Sequence, residues 1–135
     1  MRVLVVGCGN MGASHAKSYQ NLPGFEICGL VSPGSSKETL NKVLGGGNTL
    51  YSDYYQALAE SKPDAVCIST YPDTHEAYSI AALEAGCHVF LEKPIADSLE
   101  GAIRVAEAVK KSGKKLVVGY ILRHHPSWID RKSVV

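Results

Sequence analysis

The chain has 135 residues, of which 45% are hydrophobic and 20% charged, the size and make-up of one globular domain that can bury a core. Its 14 basic and 13 acidic side chains leave a formal net charge of +1, so neither nucleic acid nor an anionic membrane surface is expected as a partner. No apolar run reaches the about 18 residues a membrane span needs, and no basic leader with a cleavage site opens the chain, so a cytoplasmic protein is expected. Cys8, Cys28, Cys67 and Cys87 are scattered without a CxxC pair. They read as small buried hydrophobes rather than a disulfide framework or a zinc site, and no metal is expected.

Residues 2–6 form a short apolar run ending at glycine, the pattern of a buried parallel strand. Gly7-Cys8-Gly9-Asn10-Met11-Gly12 follows at once. A GxGxxG match alone is weak, but here it follows a strand and opens a helix, the setting of a dinucleotide site. Gly7 makes the tight turn, Gly9 lets backbone approach a pyrophosphate, and Gly12 lets the helix pack close to the sheet. The free amides and positive dipole end of that helix point at the same anion.

The first helix is expected over residues 13–22, stopped by Pro23-Gly24. A second strand over 25–31 leads into the turn Ser32-Pro33-Gly34-Ser35-Ser36, and Thr39, Leu40, Val43 and Leu44 mark the apolar face of a second helix. After Gly45-Gly46-Gly47 comes a short strand over 48–51, then a helix capped by Asp53 and running through Glu60. Residues 65–69 form the fourth strand. Tyr78, Ala81, Ala82 and Ala85 recur at helical spacing before Gly86. Residues 87–91 form the fifth strand. Asp97 and Glu100 resemble a capping box for a helix with Leu99, Ala102, Ile103 and Ala106 on one face, ended by Lys110, Lys111 and Gly113. Residues 116–120 form the sixth strand.

Six strands alternating with helices predict an α/β fold with a doubly wound parallel sheet, in the order 3-2-1-4-5-6. Ligands in such sheets lie beyond the carboxyl ends of the strands, at the switch between the first and fourth. That rule selects Gly7 to Gly12, Ser32 onward, Thr70 to His75, and Glu92 to Pro94. The end of the second strand separates the two nicotinamide cofactors, because an NAD site places Asp or Glu about 20 residues past the glycines. Here that position is Ser32. Ser32, Ser35, Ser36 and Lys37 can together surround a 2′-phosphate with donors and one positive charge. The reading therefore leans slightly to NADP over NAD.

Gly7 to Gly12 followed by His15, then Thr70-Tyr71-Pro72-Asp73-Thr74-His75, then Glu92-Lys93-Pro94, and Gly119-Tyr120-Ile121-Leu122-Arg123 with Pro126, resemble the glucose–fructose oxidoreductase / inositol dehydrogenase / rhizopine catabolism (Gfo/Idh/MocA) family. The resemblance spans essentially the whole chain, and Glu92-Lys93-Pro94 is its most specific part. It implies a Rossmann domain of an NAD(P)-dependent oxidoreductase acting on sugars, inositols and related polyols. It further implies Glu92 near the nicotinamide-side ribose and Lys93 at the substrate hydroxyl. A lysine suits that place because its amine can exchange a proton with the hydroxyl and donate to the oxygen that becomes a carbonyl. Pro94 is a candidate for a cis peptide bond. Thr70, Tyr71, Pro72 and His75 are expected to line the cofactor cleft, with Tyr71 an insertion relative to the family's threonine-proline. For His75 a structural cap is the competing reading. For His15, packing is favoured over catalysis, and His124-His125 alone do not make a metal site.

Family members continue into a second α/β domain that supplies the substrate pocket and most of the oligomer interface. The expected division is a dinucleotide-binding domain over 1–121 and the start of a connection to that second, absent domain over 122–135, with little or no turnover by this truncated chain alone. A homo-oligomer is expected for the complete protein. Two alternatives stay open: a non-catalytic NAD(P)-binding sensor, and a fragment that dimerises through Leu122, Trp128 and Ile129.

Overall fold

The computed structural model describes residues 1–121. The expected connection over 122–135, with Leu122, Arg123, His124, His125, Pro126, Trp128 and Ile129, lies outside the described residues. In chain order the elements are β1 (Arg2–Val6), α1 (Asn10–Asn21), β2 (Glu26–Val31), α2 (Ser36–Val43), β3 (Leu50–Tyr51), α3 (Tyr54–Ser61), β4 (Ala65–Ile68), α4 (Pro72–Glu84), β5 (His88–Leu91), α5 (Leu99–Ser112) and β6 (Leu116–Val118). The six strands are hydrogen-bonded in the order β3-β2-β1-β4-β5-β6, and every pairing is parallel. This is the doubly wound sheet that the alternation of elements predicts.

Because strand side chains alternate between faces, one strand feeds two cores. Leu4 and Val6 of β1 pack with Val66, Ile68, Leu83, Val89 and Leu91 in the larger core, under α3, α4 and α5. Val5, between them, packs with Ala16, Leu30, Leu40 and Leu44 under α1 and α2. Both faces of β1 are thus dry, which is why its sequence is a continuous apolar run and not an alternating one.

Local signals set most of the element ends. Asp53 accepts a hydrogen bond from the Gln56 amide at 2.7 Å and caps α3. Gly86 and Gly113 follow α4 and α5 with positive φ, +80° and +66°. Ser98, not Asp97, caps α5, accepting from the Gly101 amide at 3.0 Å. The helix begins one residue later than the capping-box reading places it.

Two helix faces differ from the apolar pattern. In α2, Leu40 is buried together with Lys37, and Val43 is 57% exposed. In α5, Leu99 and Ile103 face outward, at 72% and 50% exposure, and Gly101 and Val105 face inward. The inward side of α5 approaches so closely that a Cβ on Gly101 would sit 2.5 Å from Glu76 Oε2 and 3.1 Å from the Ala96 methyl. Small residues, not large apolar ones, mark that contact. Outside it, Arg104 clamps Glu76 with two hydrogen bonds, 2.5 and 3.0 Å long.

The α4–sheet interface carries a direct stability prediction. Leu83 is 1% exposed in the larger core, so Leu83→Ala should cost about 2–5 kcal/mol through lost transfer energy and a residual cavity. Urea unfolding should show a lower midpoint with an unchanged slope.

Candidate functional site

The carboxyl ends of β1, β4, β5 and β6 are drawn into one row by hydrogen bonds that continue the sheet beyond the strands. Gly7 N donates to Val31 O at 2.9 Å, Ser69 N to Val6 O at 2.8 Å, Glu92 N to Ile68 O at 2.9 Å, and Gly119 N to Leu91 O at 2.8 Å. The residues after each strand therefore start from fixed positions rather than from free loops.

At β1 the chain turns through Gly7, with φ +90°. A Cβ at Gly7 would collide with the Ser69 carbonyl, and one at Gly12 would collide with the Gly7 carbonyl oxygen. Both glycines are required by close approach. Gly9 is exposed, and nothing lies within 4 Å of where its Cβ would be. Helix α1 starts at Asn10, three residues earlier than expected, with Gly9 at the N-cap and no side chain capping it. The first bond back along the helix runs from Ala13 N to Gly9 O at 2.8 Å. The amides of Asn10, Met11 and Gly12 come before it and remain without helical acceptors. An uncapped helix N-terminus over open backbone, with no acidic residue in its first turn, fits a diphosphate.

Cys8, between the glycines, is a packing residue. It is 6% exposed, its thiol donates to Val31 O at 3.4 Å, and burial pushes its pKa up to about 11.

After β2 the serine-rich turn is tightly held. Ser32 Oγ and Ser36 Oγ are 2.7 Å apart, and the buried Lys37 donates from Nζ to Gly34 O at 2.9 Å, with Glu38 Oε1 at 3.4 Å. Ser35 is exposed at the N-cap of α2. No carboxylate stands at the end of β2 itself.

After β4, Thr70 Oγ1 meets Thr74 Oγ1 at 2.6 Å, Tyr71 is 83% exposed, and Pro72 occupies the first turn of α4. His75 corrects the expectation of a cleft-lining side chain. It is fully buried, with Nδ1 2.6 Å from Pro94 O and Nε2 3.1 Å from Thr70 O. Its ring ties the loop after β4 to the loop after β5 and presents no surface of its own.

After β5, pleating sends neighbours to opposite sides. Leu91 lies in the larger core, Glu92 turns towards α1 and is 7% exposed, and Lys93 is exposed. The Lys93–Pro94 bond is cis, as the sequence suggested. Glu92 Oε1 lies 2.7 Å from His15 Nε2. An ionised carboxylate only accepts, so Nε2 carries the hydrogen. Sequence reading assigned His15 to packing and missed this partnership. The available signal was its spacing: Gly12, His15 and Ala16 share the helix face that meets the sheet.

Among the described residues no cluster of three or more His, Cys, Asp or Glu could hold a metal ion, and no helix is long and apolar enough to cross a membrane.

With this geometry in place, the comparisons with known proteins are decisive. The model of the Gfo/Idh/MocA oxidoreductase family, NAD-binding Rossmann fold, matches residues 1–120. The chain belongs to this family. It is 31% identical over 137 aligned positions to inositol 2-dehydrogenase 2 of Saccharopolyspora erythraea, covering all of this chain and 40% of that protein. It is 33% identical to the inositol 2-dehydrogenase of Agrobacterium fabrum, covering all of this chain and 41% of that one. Among solved structures, GenD2 from gentamicin A biosynthesis, in complex with NAD, superposes with a TM-score of 0.89 at 26% identity, over 99% of this chain and 38% of that one. The chain thus spans about 40% of the length of the curated relatives it matches. It is an NAD-binding Rossmann domain of an oxidoreductase family.

The raised thiol pKa values give a chemical test of the packing. At pH 8, Cys8, with its pKa pushed up to about 11, and Cys67, pushed up to about 12 by burial, hold almost no thiolate, the reactive form. Iodoacetamide should leave both unmodified in the folded chain and alkylate both in urea, as read by peptide mass mapping.

Proposed function

We propose that the chain is the cofactor-binding part of an NAD(P)-dependent oxidoreductase that moves hydride between the nicotinamide and a hydroxyl-bearing carbon of a sugar, inositol or related polyol. Residues 1–121 are the dinucleotide-binding unit and 122–135 begin a connection to a substrate domain. The same reading gives a cytoplasmic protein that assembles as a homo-oligomer. The observation that carries it is the placement of an exposed Lys93 at the end of β5, in the same row of strand ends as the glycine turn and the uncapped start of α1.

In this reading Gly7, Gly9, Asn10, Met11 and Gly12 hold the diphosphate through backbone amides. Thr70, Tyr71 and Pro72 form the adjoining wall, with His75 acting from behind through Thr70 and Pro94. Glu92, Lys93 and Pro94 border the nicotinamide. The nicotinamide ring supplies the two-electron acceptor. As the carbon–hydrogen bond of the substrate breaks and its electron pair leaves, Lys93, having first given its own proton to solvent, takes the hydroxyl proton. The resulting ammonium donates a hydrogen bond to the new carbonyl oxygen. The inositol dehydrogenases among the relatives support a polyol.

Ser32, Ser35, Ser36 and Lys37 take the adenine ribose. No carboxylate stands at the end of β2 in the place of the ribose-binding Asp or Glu, and Lys37, held between Gly34 O and Glu38 Oε1, can exchange the Gly34 carbonyl for a 2′-phosphate. Fluorescence titration should show NADPH bound about threefold or more tightly than NADH. A clear preference for NADH would reject the phosphate pocket, and binding of neither would reject the cofactor site.

Lys93→Ala should leave both affinities nearly unchanged. In a chimera that joins the chain to the remaining domain of a family relative, the same substitution should lower kcat by about 100-fold or more. Near-normal turnover would remove Lys93 from the chemistry.

A further inference from the structure

We propose that His15 is a positioning residue for the nicotinamide half of the site, acting through the Glu92 carboxylate; this rests on the reading that Glu92 borders the nicotinamide-side ribose. Helix α1 reaches over the sheet one turn after the glycine motif, and His15 there meets two residues of the same sheet face. Its ring lies 4.7 Å from the Phe90 ring, inclined by 59°, and its Nε2 donates to Glu92 Oε1 at 2.7 Å. The two side chains of this pair are only 18% and 9% exposed. A buried carboxylate is costly unless its lone pairs are taken up. Beyond His15, the carboxylate accepts from the Lys93 backbone amide, 3.3 Å from Oε2.

The third wall is Gly119, on the neighbouring end of β6. A Cβ there would lie 3.2 Å from Glu92 Oε1 and 3.3 Å from Phe90 Cζ. The carboxylate is therefore held from one side by a hydrogen bond and given room on the other by a missing side chain. Two effects follow. The start of α1, which carries the diphosphate amides, is tied to the strand end that carries Lys93, so the spacing between the two halves of the cofactor site is set by one charge-assisted bond. In addition, Glu92 is kept from swinging to the Lys93 ammonium one residue away, which leaves the amine free for substrate.

The test compares NADH with ADP, which shares the adenosine and diphosphate and lacks both the nicotinamide and its ribose. Affinities are read by NADH fluorescence and by calorimetry for ADP, with circular dichroism to confirm folding. His15→Leu keeps the contact with Phe90 and removes the donor. It should weaken NADH about tenfold, the worth of one hydrogen bond to a charged group, and leave ADP within about twofold. His15→Gln places an amide nitrogen near the position of Nε2 and should recover most of the NADH affinity. Gly119→Ala disturbs the same carboxylate from the other side and should reproduce the selective loss, which decides the matter even where His15→Leu fails to fold. Unchanged NADH binding in His15→Leu and Gly119→Ala would overturn the proposal. So would a loss shared equally by NADH and ADP without rescue by His15→Gln, the signature of a merely structural helix contact. A wild-type chain that bound neither nucleotide would reject the cofactor reading itself, and the proposal with it.

Discussion

The arrangement depends on a steric constraint: two backbone segments meet where no side chain could fit. The Gly7 carbonyl occupies the space of a Gly12 Cβ, and the Ser69 carbonyl that of a Gly7 Cβ. Any other residue at these places would push α1 away from the sheet, since the obstacle is backbone and cannot rotate aside. With the contact made, the first turn of α1 stands at the opening between β1 and β4, and Ala16, about one turn after Gly12, is fully buried against the sheet. His15 then falls over β5. Position along a helix with 1.5 Å rise thus converts a glycine contact into the placement of His15 against Phe90 and Glu92.

The parallel sheet supplies the second half of that placement. Its ladder does not stop at the last strand residue but continues through the amides of Gly7, Ser69, Glu92 and Gly119. A residue held in this way keeps the pleat of its strand, so Glu92 points to the side of Phe90, opposite Leu91. Across the β5–β6 pairing, Val117 lies opposite Phe90 and Val118 opposite Leu91, and the same register brings Gly119 beside Glu92. The site is therefore as rigid as the sheet edge permits, and rigid support is what an ordered cofactor requires. His75 adds a cross-tie on the other side, joining the loops after β4 and β5 through two carbonyl oxygens.

Strand identity and order were legible from the sequence because apolar runs, glycine turns and right-handed crossovers leave few alternatives. The Asp53 cap, the cis bond at Pro94 and the strand-end location of Lys93 were legible for the same local reasons. The face of α5 was not, and that of α2 only in part: Leu40 and Leu44 are buried, but Thr39 and Val43 are exposed and Lys37 is buried instead. Hydrophobicity identifies the buried side of a helix only where large side chains fill the gap. α5 instead meets α4 through Gly101, and α4 buries Ser79 without a hydrogen-bond partner among the described residues. α2 buries the stem of Lys37, whose ammonium turns back to the Gly34 carbonyl. His75 was misplaced because a helix-start histidine in a functional loop looks the same in sequence whether it faces the cleft or supports it from behind. His15 was read as packing because its partner lies 77 residues away, and only the strand order makes them neighbours.

The neighbours Glu92 and Lys93 show how opposite charges adjacent in sequence can be kept apart in function. In water such a pair would screen itself at little cost, and an exposed lysine would lose little by pairing with the carboxylate beside it. Here the pleat turns Glu92 inward, where His15 and the Lys93 amide occupy its oxygens. Lys93 Nζ has no hydrogen-bond or ion-pair partner among the described residues. The inward carboxylate gives the strand end a fixed anchor, and the outward amine retains its freedom to meet a ligand. Exchanging the two residues would bury an ammonium against an imidazole and expose the carboxylate. The order glutamate then lysine at this strand end is thus dictated by which side of the sheet α1 covers.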